Sequence, residues 1–158
     1  MQGIIEQAYT ILLKYKKTIA VAESCTGGLL ASSLTSLQGS SRYFLLGIIP
    51  YSNQAKIALL GISPSLIKKH GAVSKAIAQR MAQNVRKIAH SEFGIGITGI
   101  AGPDGGSKEK PVGTVFIAVA QKNKTICRKF CFLGNRSSIR KKAALESLIL
   151  LKNLICEG

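Results

Sequence analysis

The chain has 158 residues, and 22 Lys and Arg against 7 Asp and Glu leave a formal net charge of +15. That length fits one domain able to bury a core without metals or disulfides, and a 46% hydrophobic share with 16 glycines and 4 prolines excludes a disordered tail, a collagen-like segment or a proline-rich spacer. Asp104 is the sole aspartate, and it shares no helical turn or short loop with Glu6, Glu23, Glu92, Glu109, Glu146 or Glu157, nor do any two of these with each other, which makes paired-carboxylate glycosidases and two-metal hydrolases poor candidates.

In chain order, Ile4, Ile5, Ala8, Ile11, Leu12 and Tyr15 fall at helical spacing and predict a helix over about Ile4 to Tyr15. Thr18 to Ala22 reads as a short strand continuing into ESCTGG, and a helix rich in Leu, Ala and Ser follows from Gly27 to about Leu37. The apolar stretch Tyr43 to Pro50 predicts a short buried strand. Ser63 as N-cap and Pro64 at the first helical position start a brief helix that stops near Gly71. Ser74 caps another, with Ile77, Met81, Val85 and Ile88 lining one face until about His90. A strand from Gly94 to Thr98 then leads into a glycine-rich loop reaching Gly106. Val112 to Ala120 and Thr125 to Phe132 read as two strands joined by the polar hairpin QKNK. The last helix runs from about Ser138 to Ile155, with Ile139, Ala143, Leu148, Leu151 and Ile155 apolar. Helices alternating with short buried strands, without repeat or linker, predict a single α/β layered domain over residues 1–158.

A basic excess suggests a polyanion, a membrane surface or an anionic small molecule. Eleven basic residues precede position 100 and eleven follow it, so no basic tail carries the charge. Aromatics make up only 6% and are not interleaved with the basic clusters as stacking platforms; nucleic acid is therefore a possible partner but not the favoured one. Met1 to Leu13 contain no signal-like pattern, and no apolar run reaches the roughly eighteen residues of a membrane span. A cytoplasmic location with no membrane partner and with free thiols is the expectation. Cys127 and Cys131 would share one face of a strand, and without a second pair nearby they read as core residues rather than zinc ligands.

The segment Gly94-Ile95-Gly96-Ile97-Thr98-Gly99 matches a GxGxxG dinucleotide pattern in the wrong context. Its glycines lie inside the apolar strand, Pro103 blocks a following helix, and no acid stands about twenty residues on. No phosphate-cradling GxxxxGK[ST] occurs either. Two other stretches carry more chemistry. Ala22-Glu23-Ser24-Cys25-Thr26-Gly27-Gly28 places small polar side chains where a strand passes into a helix, a turn that can lift a serine out of the sheet beside free backbone amides; it can equally be a polar N-cap cluster. Cys25 is a rival nucleophile with no histidine near it in sequence. Thr98 to Ser107 is glycine-rich enough for its amides to approach a phosphate or oxyanion, or to be an elaborate strand-ending turn.

Five segments together carry a family resemblance: AESCTGG at 22–28, PYSNQAK at 50–56, HGAVS at 70–74, TGIAGPDGGSKEKPVGTV at 98–115 and GNRSSIR at 134–140. In this order, from about Ile4 to Leu154, the chain resembles the CinA C-terminal family, whose enzymatic members are nicotinamide-nucleotide amidohydrolases. The resemblance implies a three-layer α/β/α domain with a central mixed sheet, commonly a homodimer. It also implies hydrolysis of nicotinamide mononucleotide, an anionic substrate, to nicotinate mononucleotide and ammonia without metal or other cofactor. The different-class alternative is a non-catalytic nucleotide- or nucleic-acid-binding protein on the same scaffold.

Amide hydrolysis needs a nucleophile, a base, an acid for departing ammonia and oxyanion donors. Ser24 is the expected nucleophile. With no His–Asp pair evident, the matched motif offers Lys56 as base, with Tyr51 relaying its proton or orienting the pair. Apart from the motif, Lys56 would read as a surface lysine early in a helix. Thr26, Gly27 and Gly28 are expected to supply backbone donors beside Ser24. Thr98, Gly99, Ala101, Gly102, Gly105 and Gly106 are expected to hold the oxyanion or the ribose phosphate. Arg136 and Arg140, four apart at a helix start, would grip that phosphate, though a solvated basic turn fits them equally without the motif. His70 and His90 read as structural. Pro50, Gln54 and Asn135 depart from the family's usual Thr, Glu and Asp, and losing the charge at position 54 is expected to lower the Lys56 pKa.

Overall fold

The structure is a computed structural model and describes residues 2–156. Helix α1 (Gln2–Lys14) leads into strand β1 (Ile19–Glu23), helix α2 (Leu29–Thr35), a 3-10 turn at Ser40–Arg42 and strand β2 (Phe44–Ile48). Three helices follow, α3 (Asn53–Leu60), α4 (Pro64–His70) and α5 (Lys75–Ala89). The chain ends with β3 (Phe93–Gly99), β4 (Thr114–Ala120), β5 (Thr125–Cys131) and the long α6 (Arg136–Cys156). The sheet order is β2-β1-β3-β4-β5. Strand β1 runs parallel to β2 and β3, whereas β4 is antiparallel to β3 and β5, so the sheet is mixed.

Side chains alternate across a strand, and β1 shows what each face meets. Ile19 and Val21 enter a core with Ile5 and Leu12 of α1 and Leu148 and Leu151 of α6. Ala20 and Ala22 face the other way, toward Leu60 and Ile67 and toward Ile77, Met81 and Val85 of α5. Two helical layers thus enclose the sheet. On the α5 side the sheet is paved with small residues, Ala118 and Ala120 meeting Ala78 and Ala82. Gly94 and Gly96 complete that paving. A Cβ at Gly94 would lie 2.1 Å from the Ala82 carbonyl oxygen, and one at Gly96 would lie 2.3 Å from that of Ala78. The apparent dinucleotide motif is therefore a close-packing device that seats α5 on β3.

Helix starts follow local chemistry: Ser63 Oγ accepts from the Leu66 amide and Ser74 Oγ from that of Ile77. Several expectations need correction. Tyr43–Pro50 does not form a buried strand: β2 has a single neighbour, and Leu45 is 46% exposed. Ile88 lies half outside the α5 contact face. Cys131 is exposed on the β5 edge strand, and only Cys127 packs, partly, against the alanine layer. Helix α2 begins after the two glycines rather than at Gly27, and α6 begins two residues before Ser138. The 3-10 turn has no buried residue, and the apolar residues of α3 do not form one buried stripe, since Leu59 is exposed while Lys56 is buried. No helix among the described residues is long and apolar enough to cross a membrane.

Candidate active site

Ser24 follows the last residue of β1, and its amide still donates to the Ile97 carbonyl of β3. The chain must then turn sharply into α2. Gly27 and Gly28 make that turn with φ of +60° and +92°, a region that favours glycine. Glu23, fully buried, turns its carboxylate onto the start of α2. Its Oε2 accepts from the amides of Gly28 and Leu30 at 3.1 and 3.0 Å, and its Oε1 from that of Ala31 at 2.7 Å. An internal anion thus occupies the helix N-terminus. The Gly27 amide is likewise taken, donating to the Ser24 carbonyl. Gly27 and Gly28 are consequently not free donors: they shape the turn. Among the described residues no carbonyl claims the amides of Cys25 and Thr26.

Lys56 reaches this elbow from the first turn of α3. Ser52 caps that helix by accepting from the Ala55 amide, which fixes the register that points Lys56 inward. The lysine is 2% exposed. Its Nζ donates to Ser24 Oγ at 3.2 Å, to the Pro50 carbonyl at 3.0 Å and to the Tyr51 carbonyl at 3.2 Å. Burial pulls the Lys56 pKa below its ordinary 10.5, outweighing the opposing pull of Cys25. Lys56 is therefore no surface lysine. In the neutral amine, two N–H bonds to the two carbonyls leave the lone pair facing the Ser24 hydroxyl. Gln54 is exposed on α3 and makes no hydrogen bond to the amine. Burial also pushes the Cys25 thiol up to about 12, which keeps it protonated and a poor nucleophile.

A cavity of about 270 Å³ opens beside the pair, lined by Ser24, Lys56, Tyr51, Thr98, Gly99 and Arg136. Ala101, Gly102 and Gly105 of the glycine loop line it as well. Tyr51 occupies the rim. Its hydroxyl accepts from Arg136 Nη2 at 3.0 Å, while Nη1 of the same guanidinium donates to the Gly102 carbonyl at 2.7 Å. The phenol thus does not reach Lys56; the Tyr51 backbone carbonyl does. Thr98 Oγ1 donates to the Ala72 carbonyl, tying β3 to the α4–α5 loop.

Four expected site residues stand outside the cavity lining besides Gly27: Thr26, Gly28, Gly106 and Arg140. Gly106 folds against Val112 within its own loop. Arg140 donates to the Thr26 carbonyl from both Nε and Nη2, at 3.1 and 2.7 Å, and so braces the elbow from α6. Asn135 serves α6 as its capping side chain, accepting from the Ser138 amide at 2.9 Å, a role Asp would fill equally. Sequence reasoning missed Asn53, Ala72, Val73, Ile100 and Asp104 of the lining, although all five stand inside the motif segments. It also missed Glu23, whose signal was a carboxylate closing an otherwise apolar strand. His70 and His90 end helices α4 and α5, and neither lines the cavity. Among the described residues no three His, Cys, Asp or Glu side chains gather as a metal site.

A family model described as the CinA C-terminal domain matches residues 1–155. A CinA-like protein of Syntrophus aciditrophicus is 45% identical over 156 residues, which cover 98% of this chain and 37% of that protein. The chain thus spans about a third of the length of the curated relatives it matches. Among solved structures, the competence/damage inducible protein CihA of Agrobacterium tumefaciens superposes with a TM-score of 0.91 at 36% identity, covering 96% of this chain and 94% of that one. The competence or damage-inducible protein of Enterobacter asburiae gives a TM-score of 0.93 at 30% identity, covering 98% of this chain and 97% of the other.

Proposed function

The chain belongs to the CinA C-terminal domain family, and from that premise we propose that it is an amidohydrolase converting nicotinamide mononucleotide to nicotinate mononucleotide and ammonia, in pyridine-nucleotide recycling. The observation that carries this reading is the buried Lys56 amine 3.2 Å from Ser24 Oγ, anchored by two carbonyls. A serine becomes a nucleophile when a neighbouring base takes its proton, and a desolvated lysine is such a base near neutral pH.

Ser24 Oγ attacks the carboxamide carbon as its proton passes to Lys56. The amide of Cys25, which lines the cavity and is left unclaimed because Glu23 satisfies the helix beyond it, is the donor for the developing oxyanion. Lys56 then gives its proton to the departing nitrogen, the C–N bond breaks and ammonia leaves an ester on Ser24. Water, deprotonated in turn by Lys56, cleaves that ester; the proton returns to Ser24, and the carboxylate product is released. Arg136 at the rim and the glycine loop supply donors for the nucleotide phosphate. Arg140, already committed to Thr26, acts on the elbow instead.

The test is direct. Purified protein should release ammonia from nicotinamide mononucleotide, and Ser24→Ala should abolish release while the protein stays folded by circular dichroism. A folded wild-type chain that releases no ammonia would sink the reading.

A further inference from the structure

The catalytic cavity lies at the end of the sheet where β1 and β3 finish. Three adjoining depressions form a strip that starts at the opposite end, between α5 and the β4–β5 hairpin, and runs back along α5 and β5, bordered by α6, to Lys75 at the α5 N-terminus. The middle one, about 400 Å³, is lined by Gln83, Arg86 and Lys87 from α5 and by Gln121 to Thr125 from the hairpin. The second, about 300 Å³, shares Arg86, Gln121 and Lys122 and adds Lys17 and His90. The third, about 390 Å³, shares Thr125 and adds Lys75 and Arg128. Seven Lys and Arg therefore border one continuous strip.

Only one carboxylate enters it, Glu92. That group is already engaged by the amide and hydroxyl of Thr18, which hold its pKa below the usual carboxylate value. Of the strip's cations, Arg86 donates to the Ser91 carbonyl, a neutral acceptor. Glu92 stays ionised and offsets one charge, so the seven cations still leave the strip strongly positive. The uncharged polar lining is amide and hydroxyl, from Gln79, Gln83, Gln121, Asn123, Thr125 and Asn153, while the third depression also has an apolar side of Ile126, Leu150 and Leu154. These polar side chains hydrogen-bond phosphate oxygens, and the one Phe ring at the strip, Phe93, is buried in the core and does not offer a face to stack a base. From Lys75 to Lys87 the α5 border extends roughly 18 Å at 1.5 Å per residue. That is the rise of roughly five nucleotides in a duplex strand.

We infer that this strip is a second binding site, separate from the cavity of Ser24 and Lys56, that holds a nucleic acid by its phosphodiester backbone without reading sequence. Alternate oxygens along a strand face the cations, and the amide side chains fix the backbone between them. The site does not depend on the catalytic reading: its charge, lining and location would be unchanged if Ser24 were inert.

Fluorescence anisotropy with the full chain tests it, using labelled single-stranded and duplex DNA of about 20 nucleotides or base pairs and a salt titration from about 50 to 200 mM. Binding should be indifferent to sequence. The slope of log K against log salt should lie near −3 to −5 for duplex, at about −0.9 per phosphate neutralised. Reversing Lys87, Lys122 and Lys124 to Glu should weaken binding at least about 30-fold, since roughly three phosphate contacts become repulsions. The same reversal at exposed Lys68, Lys69 and Lys141, away from the strip, should change it less than about threefold while altering net charge equally. Equal losses in the two variants would show that net charge alone attracts DNA, and would overturn the site. So would no binding at the lowest salt. Capture of inorganic polyphosphate but neither DNA would overturn the assignment to nucleic acid.

Discussion

Replacing Lys56 by Met tests the centre of the mechanism, because methionine fills the space of the buried stem and removes only the amine. Loss of a general base costs typically 10²–10⁴ in rate, or about 2.7–5.4 kcal/mol of barrier at 1.36 kcal/mol per decade. The same change leaves the Pro50 and Tyr51 carbonyls without their Nζ partner, at about 1–3 kcal/mol each, offset in part because a desolvated amine has also gone. Kcat for ammonia release should therefore fall at least about 100-fold, while urea unfolding shows a stability change no larger than about 3 kcal/mol. pH supplies an independent check. Lys56 is a base only when neutral, and its pKa lies below 10.5, so kcat/KM should rise with pH along a limb centred below that value. Between the folded and unfolded pKa values the unfolded chain binds more protons, so stability should also rise with pH in that window, and Lys56→Met should lose the rise. Lys56→Arg keeps the charge and donors but cannot deprotonate, and should be as inactive as Lys56→Met. A Lys56→Met protein within tenfold of wild-type kcat would refute Lys56 as the base.

Cys25→Ala should keep kcat within about threefold, because a thiol held near 12 contributes no thiolate at neutral pH; inactivation there would transfer the nucleophile from Ser24 to Cys25. Arg136→Met should raise KM for the mononucleotide about 10- to 150-fold, the range expected for a charge-assisted hydrogen bond, with kcat little changed. An equal rise for the phosphate-free riboside would place Arg136 away from the phosphate. Gly96→Ala should destabilise by at least about 1–3 kcal/mol in urea unfolding, since its Cβ would stand 2.3 Å from the Ala78 carbonyl oxygen. A neutral result would mean that α5 can lift from β3 without cost.

Much of the architecture was legible because it rests on local patterns. Ser63-Pro64 and Ser74 marked helix starts that the structure reproduces, since a cap is satisfied by the three residues beside it. The apolar spacing of Ile139, Ala143, Leu148, Leu151 and Ile155 marked the buried face of α6. Strand β2 was misjudged because apolar composition cannot tell a central strand from an edge strand. Exposure there depends on how many neighbours the sheet order supplies.

At the site, residue identity and residue role separated in the same way. Ser24, Lys56, Tyr51 and Arg136 could be singled out from their motifs, and all four line one cavity. The pairing of Lys56 with Ser24 was among the expectations, but the other partners were not. Tyr51 looked like a proton relay until its hydroxyl was found bonded to Arg136 and its carbonyl to Lys56. Gly27 and Gly28 looked like oxyanion donors until Glu23 and the Ser24 carbonyl were found holding their amides. Arg140 looked like a phosphate ligand until it was found on Thr26.

The sequence by itself determined the charge balance, the scarcity of carboxylates, the alternation of helices and strands, and the set of polar residues available for chemistry. These are properties of composition and of short spacings. Only the tertiary structure decided that Lys56 is buried beside a serine 32 positions away, and that seven of the 22 Lys and Arg border one strip beside α5. Both follow from chain segments brought together by sheet order and helix packing. Desolvation and field strength depend on those distances in space, which spacing along the chain does not encode.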